Sequence, residues 1–199
     1  MNEEQLRSFR RSKTAMVFQR FALLPHKTVL QNTIFGLHIQ NIAEEDAKKS
    51  ALRWIERVGL SGYEDKYPQH LSGGMQQRVG LARALTNDGD ILLMDEAFSA
   101  LDPLIRKDMQ DILLELQDEL HKTVVFITHD LDEALKIGDR IAILKDGIMD
   151  QEGIPAEILL NPKTKYVKDF VEDVNRARVI KAKHIMNEIN GQDLNGAMP

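Results

Sequence analysis

Several features that define whole classes of protein are missing from this chain. Its 199 residues include no cysteine, which excludes a disulfide framework and a thiolate metal site and fits a cytoplasmic protein. No apolar run approaches the ~20 residues that a helix needs to span a bilayer. The first segment, NEEQLRSFRRSK, is too polar for a secretory signal. A formal net charge of −5 argues against a nucleic-acid-binding protein with a broad basic face.

The Gly-Lys dipeptide is also absent from the 199 residues. This dipeptide belongs to the P-loop, G-x-x-x-x-G-K-[ST], whose backbone N–H groups and lysine hold nucleotide phosphates. The nearest match, GQDLNGAM at residues 191–198, lacks the Lys and the Ser or Thr. It also lies in a polar tail, and we interpret it as a chance match.

The most informative stretch that is present covers residues 71–102. Its first half has apolar residues at helical spacing, which predicts one buried helix face formed by Met75, Val79, Ala82 and Leu85. Ser72, Gly73 and Gly74 lie at the predicted N-terminus of this helix, where free backbone N–H groups and the helix dipole favour an anion. A Ser cap followed by glycines also starts many ordinary helices, so these three residues alone leave both interpretations open.

Residues 91–94, which follow, are all apolar and do not alternate with polar residues. This pattern is typical of a central parallel strand that is covered on both faces. Asp95 and Glu96 come directly at its end, where ligands bind in open α/β sheets. An acidic residue there can hold Mg²⁺, and a second carboxylate can activate water. The alternative is that Asp95 caps a turn and Glu96 is solvated.

Two further polar residues follow predicted strands in the same way. Gln19 comes after the apolar residues 14–18, and His129 comes after the buried strand predicted over 123–128. A Gln carbonyl can ligate Mg²⁺, and a His at a strand end can stabilise charge that develops on a phosphate. A surface Gln and a structural His are the alternatives from the residues alone.

Taken together, these pieces resemble the ABC transporter ATPases. LSGGMQQR resembles their signature motif, ILLMDE their Walker B strand, SALD their D-loop, AMVFQ their Q-loop and FITHD their switch histidine. Five motifs in the family's order are highly specific. Within the family, VFQRFALLPHKTVLQNT, DEAFSALDPLIR and FITHDLDEALKIGDRIAILKDG are similar to the ATP-binding subunit of glycine betaine/proline importers, the quaternary-amine uptake group.

The resemblance implies an α/β fold of the P-loop NTPase type, here incomplete, with a parallel-sheet core and a helical lobe. It implies five parts: 1–20 as the end of the N-terminal core with the Q-loop, 21–88 as the helical lobe with the signature, 89–153 as the remaining core, 154–174 as C-terminal helices, and 175–199 as a polar tail resembling the start of an absent CBS module. Pro155 begins one C-terminal helix, and residues 146–148 predict a hairpin turn.

The same resemblance assigns roles to individual residues. It implies that Glu96 and His129 are catalytic, with ATP and Mg²⁺ as cofactors and with Asp95 and Gln19 on the metal. The residues that it implies for ATP binding are Gln19, Ser72, Gly73, Gly74, Gln76, Asp95 and Asp102.

The partners implied by the family are a second ATPase subunit packed head to tail and a membrane permease that contacts region 21–40. A periplasmic or extracellular solute-binding protein is an indirect partner, and no nucleic acid is expected. The apolar residues of the 21–37 segment could equally belong to the core of the helical lobe. The implied location is peripheral, at the cytoplasmic face of the cell membrane.

Without a P-loop, we expect this chain alone to bind ATP weakly or not at all, and we favour a truncated gene product or record over a deliberate fragment. Apolar sheet faces left uncovered predict poor solubility. One alternative function is a non-catalytic, regulatory half-ATPase that supplies its signature to a complete partner. An ABC ATPase of the DNA-repair or chromosome type ranks last, because residues 19–71 show no sustained heptads.

Overall fold

A computed structural model describes residues 1–172, in two compact units that divide after His129. The predictions for the tail, 175–199, lie outside the described residues. The five sequence parts given above stay predictions. Within residues 1–172, no helix combines the length and the apolar composition needed to cross a membrane.

The first unit contains seven segments of helix and three strands among its described residues. In chain order these are α1 (Glu3–Ser12), β1 (Thr14–Phe18), α2 (Val29–Thr33), α3 (Phe35–Ile39), α4 (Glu44–Arg57), a 3-10 turn (Pro68–His70), α5 (Gly73–Thr86), β2 (Ile91–Asp95), α6 (Pro103–Leu120) and β3 (Thr123–Ile127).

The three strands form one parallel sheet in the order β1-β2-β3. This confirms the α/β class and the central position of β2. The register places Phe18, Asp95 and Ile127 side by side at the carboxyl edge. Because parallel strands end at the same edge, the residues that follow these three strands are brought close together.

The two faces of this sheet differ in burial. One face is packed, with Ala15, Val17, Leu92 and Met94 all buried. The prediction that β2 is covered on both faces is wrong for the described residues, since Ile91 and Leu93 are only half-buried. The prediction that β3 is buried is wrong as well, because alternation sends every second side chain of a strand to the opposite face. On that face Val125 is 46% exposed and Ile127 57% exposed.

Helix α5 packs against β1 and α6. It begins where the sequence predicts, with Ser72 as its N-cap. Val79, Ala82 and Leu85 are buried, which confirms the predicted stripe, whereas Met75 is half-buried. Helix α4 ends at Arg57 with Val58 as its C-cap, and Gly59 directly after the cap adopts a φ of 71°, which suits glycine.

The second unit is described from Asp130 to Glu172. Its elements are α7 (Leu131–Ile137), β4 (Ile141–Lys145), β5 (Ile148–Gly153), α8 (Pro155–Leu160) and α9 (Lys165–Phe170). Strands β4 and β5 pair antiparallel, and Asp146 and Gly147 between them both have positive φ, so the hairpin turn is confirmed. The core of this unit contains Leu135, Ile141, Ile143, Ile158, Leu159, Val167 and Val171.

Candidate functional site

Three polar side chains meet just beyond the carboxyl ends of the parallel strands. The carboxamide Nε2 of Gln19 donates a hydrogen bond to Glu96 Oε2 over 2.8 Å. His129 Nδ1 lies 3.3 Å from the other carboxylate oxygen, Glu96 Oε1. The structure therefore brings together the three residues that the sequence placed after β1, β2 and β3, and each oxygen of Glu96 has its own partner.

Ser99 is a fourth member of this cluster. Gln19 Nε2 also lies 3.2 Å from Ser99 Oγ, and that hydroxyl donates to the backbone carbonyl of Glu96 over 2.9 Å. Sequence reasoning missed Ser99, although it quoted the SALD motif in which this residue stands. Its distance of three residues from Glu96, in a turn, was the available signal.

The backbone of Glu96 is unusual. Its φ is 44°, in the left-handed region that L-residues with a Cβ rarely adopt. Its N–H donates to the carbonyl of Ile127 over 2.9 Å, and Ala97 and Phe98 directly after it are buried. The tertiary structure thus holds Glu96 in a strained conformation that aims its carboxylate at the sheet edge. The side chain is 32% exposed and that of His129 71% exposed, so solvent reaches both.

Asp95 is the last residue of β2, and it is exposed. Its side chain makes no hydrogen bond or ion pair with the other described residues. Within that part of the chain, no group of three acidic or histidine side chains could hold a metal by itself. One exposed carboxylate at a strand end suits Mg²⁺ that is also held by phosphates, because this ion is commonly bound through one or two protein ligands.

The N-terminus of α5 forms a separate potential anion site. Ser72 Oγ accepts a hydrogen bond from Met75 N over 3.3 Å, whereas the N–H groups of Gly73 and Gly74 have no acceptor among the described residues. Gln76 Nε2 donates to the carbonyl of Leu71 over 3.2 Å. Two free N–H groups at a 14-residue helix favour an anion. No hydrogen bond between described side chains joins this end to Glu96.

Asp102 has a structural role in this arrangement. It is the N-cap of α6, and its Oδ1 accepts from Leu104 N over 3.2 Å and from Ile105 N over 3.1 Å. Pro103 is the first helical residue, and an Asp cap followed by Pro is a common start of a helix. A contact of Asp102 with nucleotide stays a prediction.

Arg83 is a second residue that sequence reasoning did not assign to the site. Arg83 is half-buried, and this burial lowers the pKa of its guanidinium. It donates two hydrogen bonds to backbone carbonyls in the turn after Gln19, to Phe21 and Ala22. Arg83 is not one of the apolar residues that predict the buried face of this helix, and the sequence gave no indication of this contact.

A sequence model described as ABC transporter matches residues 1–99. The chain is 62% identical over 186 residues to the glycine betaine transport ATP-binding protein OpuAA of Bacillus subtilis, which covers 94% of this chain and 44% of that protein. It is 56% identical over 185 residues to the glycine betaine/proline betaine transport system ATP-binding protein ProV of Escherichia coli, with coverage of 93% and 46%. The chain therefore spans about half the length of these curated relatives.

Solved structures give the same result for the fold. A dimeric ATP-binding cassette in a post-hydrolysis state, bound to ADP and Pi, superimposes with a TM-score of 0.69 at 36% sequence identity. The matched region covers 78% of this chain and 68% of that one.

Proposed function

Since this chain belongs to the ABC transporter family of ATP-binding proteins, we propose that it acts as the ATP-binding subunit of an importer for glycine betaine, proline or related solutes. The solute is carried over from the names of the relatives. The observation that carries the ATPase proposal is the cluster of Gln19, Glu96 and His129 at the ends of three parallel strands.

In this proposal Glu96 is the general base. Its carboxylate is held by Gln19 on one oxygen and by His129 on the other, so its orientation is fixed before a water molecule arrives. His129 is exposed enough to contact a phosphate and stabilise the charge that develops there. Asp95, with the amide oxygen of Gln19, would hold Mg²⁺, which neutralises phosphate charge when it is bound.

The N-terminus of α5 serves the nucleotide of a partner subunit. Gly73 and Gly74 offer free N–H groups to a phosphate, while Ser72 and Gln76 shape the same turn. Asp102 would approach the nucleotide from the end of the D-loop. The dimeric cassette that resembles this chain supports a second ATPase subunit as the partner.

The proposed location follows from these partners. A membrane permease would contact region 21–40, where the apolar side chains of Phe35 and Ile39 are exposed. A solute-binding protein would act through the permease, and no nucleic acid takes part. The subunit would then lie at the cytoplasmic face of the membrane as a peripheral protein.

The first experiment titrates Mg-ATP into the purified 199-residue chain by calorimetry, alone and mixed with a full-length relative whose own Ser-Gly-Gly motif is disabled. We expect weak or undetectable binding by the chain alone, because its sequence holds no Gly-Lys dipeptide. In the mixture we expect ATP turnover to appear. The Gly73→Asp variant should abolish this turnover by placing a carboxylate where the phosphate binds.

A second mixture separates two forms of the proposal: its relative keeps the Ser-Gly-Gly motif but has its own catalytic glutamate replaced by Gln. Turnover in this mixture that is lost with Glu96→Gln would assign a hydrolysing carboxylate to this chain. Turnover only in the first mixture, unchanged by Glu96→Gln, would mean that the chain supplies only its signature, as a regulatory half-ATPase does. No binding and no turnover in any mixture would overturn the proposed function.

A further inference from the structure

The turn that follows Gln19 is attached to helix α5 by one side chain. Arg83 Nη1 donates to the backbone carbonyl of Ala22 over 2.6 Å, and Nη2 donates to that of Phe21 over 3.0 Å. Arg83 lies 61 and 62 residues from these partners in sequence. A planar guanidinium with two parallel donors suits such a pair of acceptors, whereas a Lys ammonium would offer only a point charge.

This turn needs support from outside itself. Phe21 and Ala22 adopt φ values of 57° and 47°, and two consecutive L-residues in the left-handed region are disfavoured. Within the turn, the N–H of Ala22 donates to the carbonyl of Arg20 and that of Phe21 to the carbonyl of Phe18. The carbonyls of Phe21 and Ala22 both accept hydrogen bonds from the guanidinium of the half-buried Arg83, and hydrogen bonds from a charged donor are stronger than neutral ones.

Gln19 lies between the end of β1 at Phe18 and this turn. Its side chain is exposed, so packing does not fix its direction. The path of the backbone at the turn therefore decides whether its carboxamide reaches Glu96 and Ser99.

We propose that Arg83 is a positioning residue, which holds the turn after Gln19 so that the Gln19 carboxamide meets the Glu96 carboxylate. An effect of Arg83 on catalysis rests on the proposed function, whereas its effect on the position of Gln19 does not. Phe21 also lies along α5: a Cβ added at Gly73 would be 3.7 Å from its ring, and one at Gly80 would be 3.6 Å from its carbonyl oxygen. The helix that offers its N-terminus to an anion thus also fixes Gln19.

Arg78 provides a matched control on the same helix. Its Nη1 donates over 2.8 Å to the backbone carbonyl of Val58, the cap of α4, and so it makes the same kind of bond to a different segment. Replacing Arg78 or Arg83 by Ala removes a guanidinium that is bound to a carbonyl. Only the Arg83 variant loosens the turn after Gln19.

The test reads the contact between Gln19 and Glu96 by nuclear magnetic resonance of the full chain without nucleotide. The side-chain NH₂ signal of Gln19 is assigned by its loss in Gln19→Glu. In the wild-type background, Glu96→Ala removes the acceptor and should shift this signal. We expect that shift to disappear in the Arg83→Ala background, to persist in the Arg78→Ala background, and to be reduced in the Arg83→Lys background.

Hydrogen exchange gives a second measurement. The backbone N–H groups of Phe21 and Ala22 should exchange at least tenfold faster in Arg83→Ala than in Arg78→Ala.

An unchanged response of the Gln19 signal to Glu96→Ala in Arg83→Ala would overturn the proposal. If Arg83→Ala does not fold, Arg83→Lys takes its place. A shift of the Gln19 signal by Glu96→Ala that is as large in Arg83→Lys as in wild type would contradict the proposal. If the Gln19 signal responds to the Glu96 and Arg83 variants as expected but no mixture turns over ATP, the proposed function is contradicted and the positioning role of Arg83 is not.

Discussion

Gln19 and Glu96 are 77 residues apart in sequence, and the carboxamide of Gln19 donates to the carboxylate of Glu96 over 2.8 Å. Because an amide donates through nitrogen, this bond turns the Gln19 oxygen away from Glu96 and leaves it free to act as a ligand. His129 takes the second carboxylate oxygen. In the proposed function, this arrangement would separate two roles at the site: Glu96 would be the oriented base and the Gln19 oxygen a metal ligand.

Glu96 gives a prediction on stability, because its φ of 44° is costly for any residue with a Cβ. Both Glu96→Gly and Glu96→Ala remove the carboxylate, but only glycine relieves the backbone strain. We expect Glu96→Gly to have a free energy of unfolding about 1 kcal/mol higher than Glu96→Ala. Urea unfolding followed by circular dichroism would measure the difference.

Glu115 is the control for this comparison, since it is an exposed residue within helix α6. There the order should reverse, with the Gly variant about 1 kcal/mol less stable than the Ala variant. The same order at both positions would show that the left-handed backbone of Glu96 is not a feature of the folded protein.

The second prediction concerns the close contact between Gly74 and Ile105. A Cβ added at Gly74 would lie 2.5 Å from Ile105 Cγ2. Ile105 is β-branched and stiff at χ1, so Gly74→Ala should lower the free energy of unfolding by about 1–3 kcal/mol. A thermal or urea unfolding curve would measure this loss.

A second substitution tests whether the contact between the Cβ added at position 74 and the Ile105 side chain causes the loss of stability. Adding Ile105→Ala should restore much of the lost stability, so that the double variant is less destabilised than the sum of the two single variants. Gly73→Ala is the control, because its Cβ would meet Phe21 at an ordinary 3.7 Å. An equal loss for Gly73→Ala and Gly74→Ala would contradict this account.

The sequence predicted the elements that depend on local pattern. An apolar run bounded by polar residues identified β2, and apolar residues at helical spacing after Ser72 identified α5. The sequence also placed Gln19, Glu96 and His129 after strands, and they meet because parallel strands end at one edge of the sheet. The contacts of Ser99 with Gln19 and of Arg83 with the turn after Gln19 were not predictable, because they join residues that are far apart in sequence and are brought near by tertiary packing. The sequence did not predict that one face of the sheet is exposed. An apolar strand can have the same sequence whether one or both of its faces are covered.

Gln77 gives the third prediction. It is fully buried in α5, and neither atom of its amide has a hydrogen-bond partner among the described residues. Gln77→Met keeps the length of the side chain and removes the unsatisfied polar group. We expect the free energy of unfolding to rise by about 1 kcal/mol, measured by urea unfolding. Gln76→Met is the control: it loses the bond to Leu71 and should not gain stability.

The fourth prediction concerns the ion pair between Lys13 and Asp90, with Nζ and Oδ2 2.8 Å apart. The hydrogen bond from Lys13 lowers the pKa of Asp90, and the same bond raises the pKa of Lys13. The stabilising effect is therefore present above the ordinary pKa of Asp, about 3.9, and is lost as pH falls through the lower folded value. It is also lost as pH rises through the raised value of Lys13.

Comparing wild type with Asp90→Asn across pH would measure this effect. The difference between their urea midpoints should stay constant from about pH 5 to pH 9 and shrink on either side. Both side chains are more than half exposed, so added salt should reduce the difference throughout. A difference that grows toward acid pH would contradict the assigned direction.

The last prediction concerns the open face of the parallel sheet, where Met16, Phe18, Val125 and Ile127 are exposed. An exposed apolar strand face favours association between molecules. Replacing Val125 and Ile127 together by Thr keeps the β-branched shape that strands prefer and removes apolar surface. We expect this double variant to stay monodisperse at a higher concentration than wild type, as measured by light scattering, with little change in the urea midpoint.

Val17→Thr, on the packed face, is the control. It should lower the free energy of unfolding by about 1–3 kcal/mol, because it buries a hydroxyl. If the double variant loses as much stability as Val17→Thr, the face is covered in solution, and the solubility predicted from its exposure is wrong.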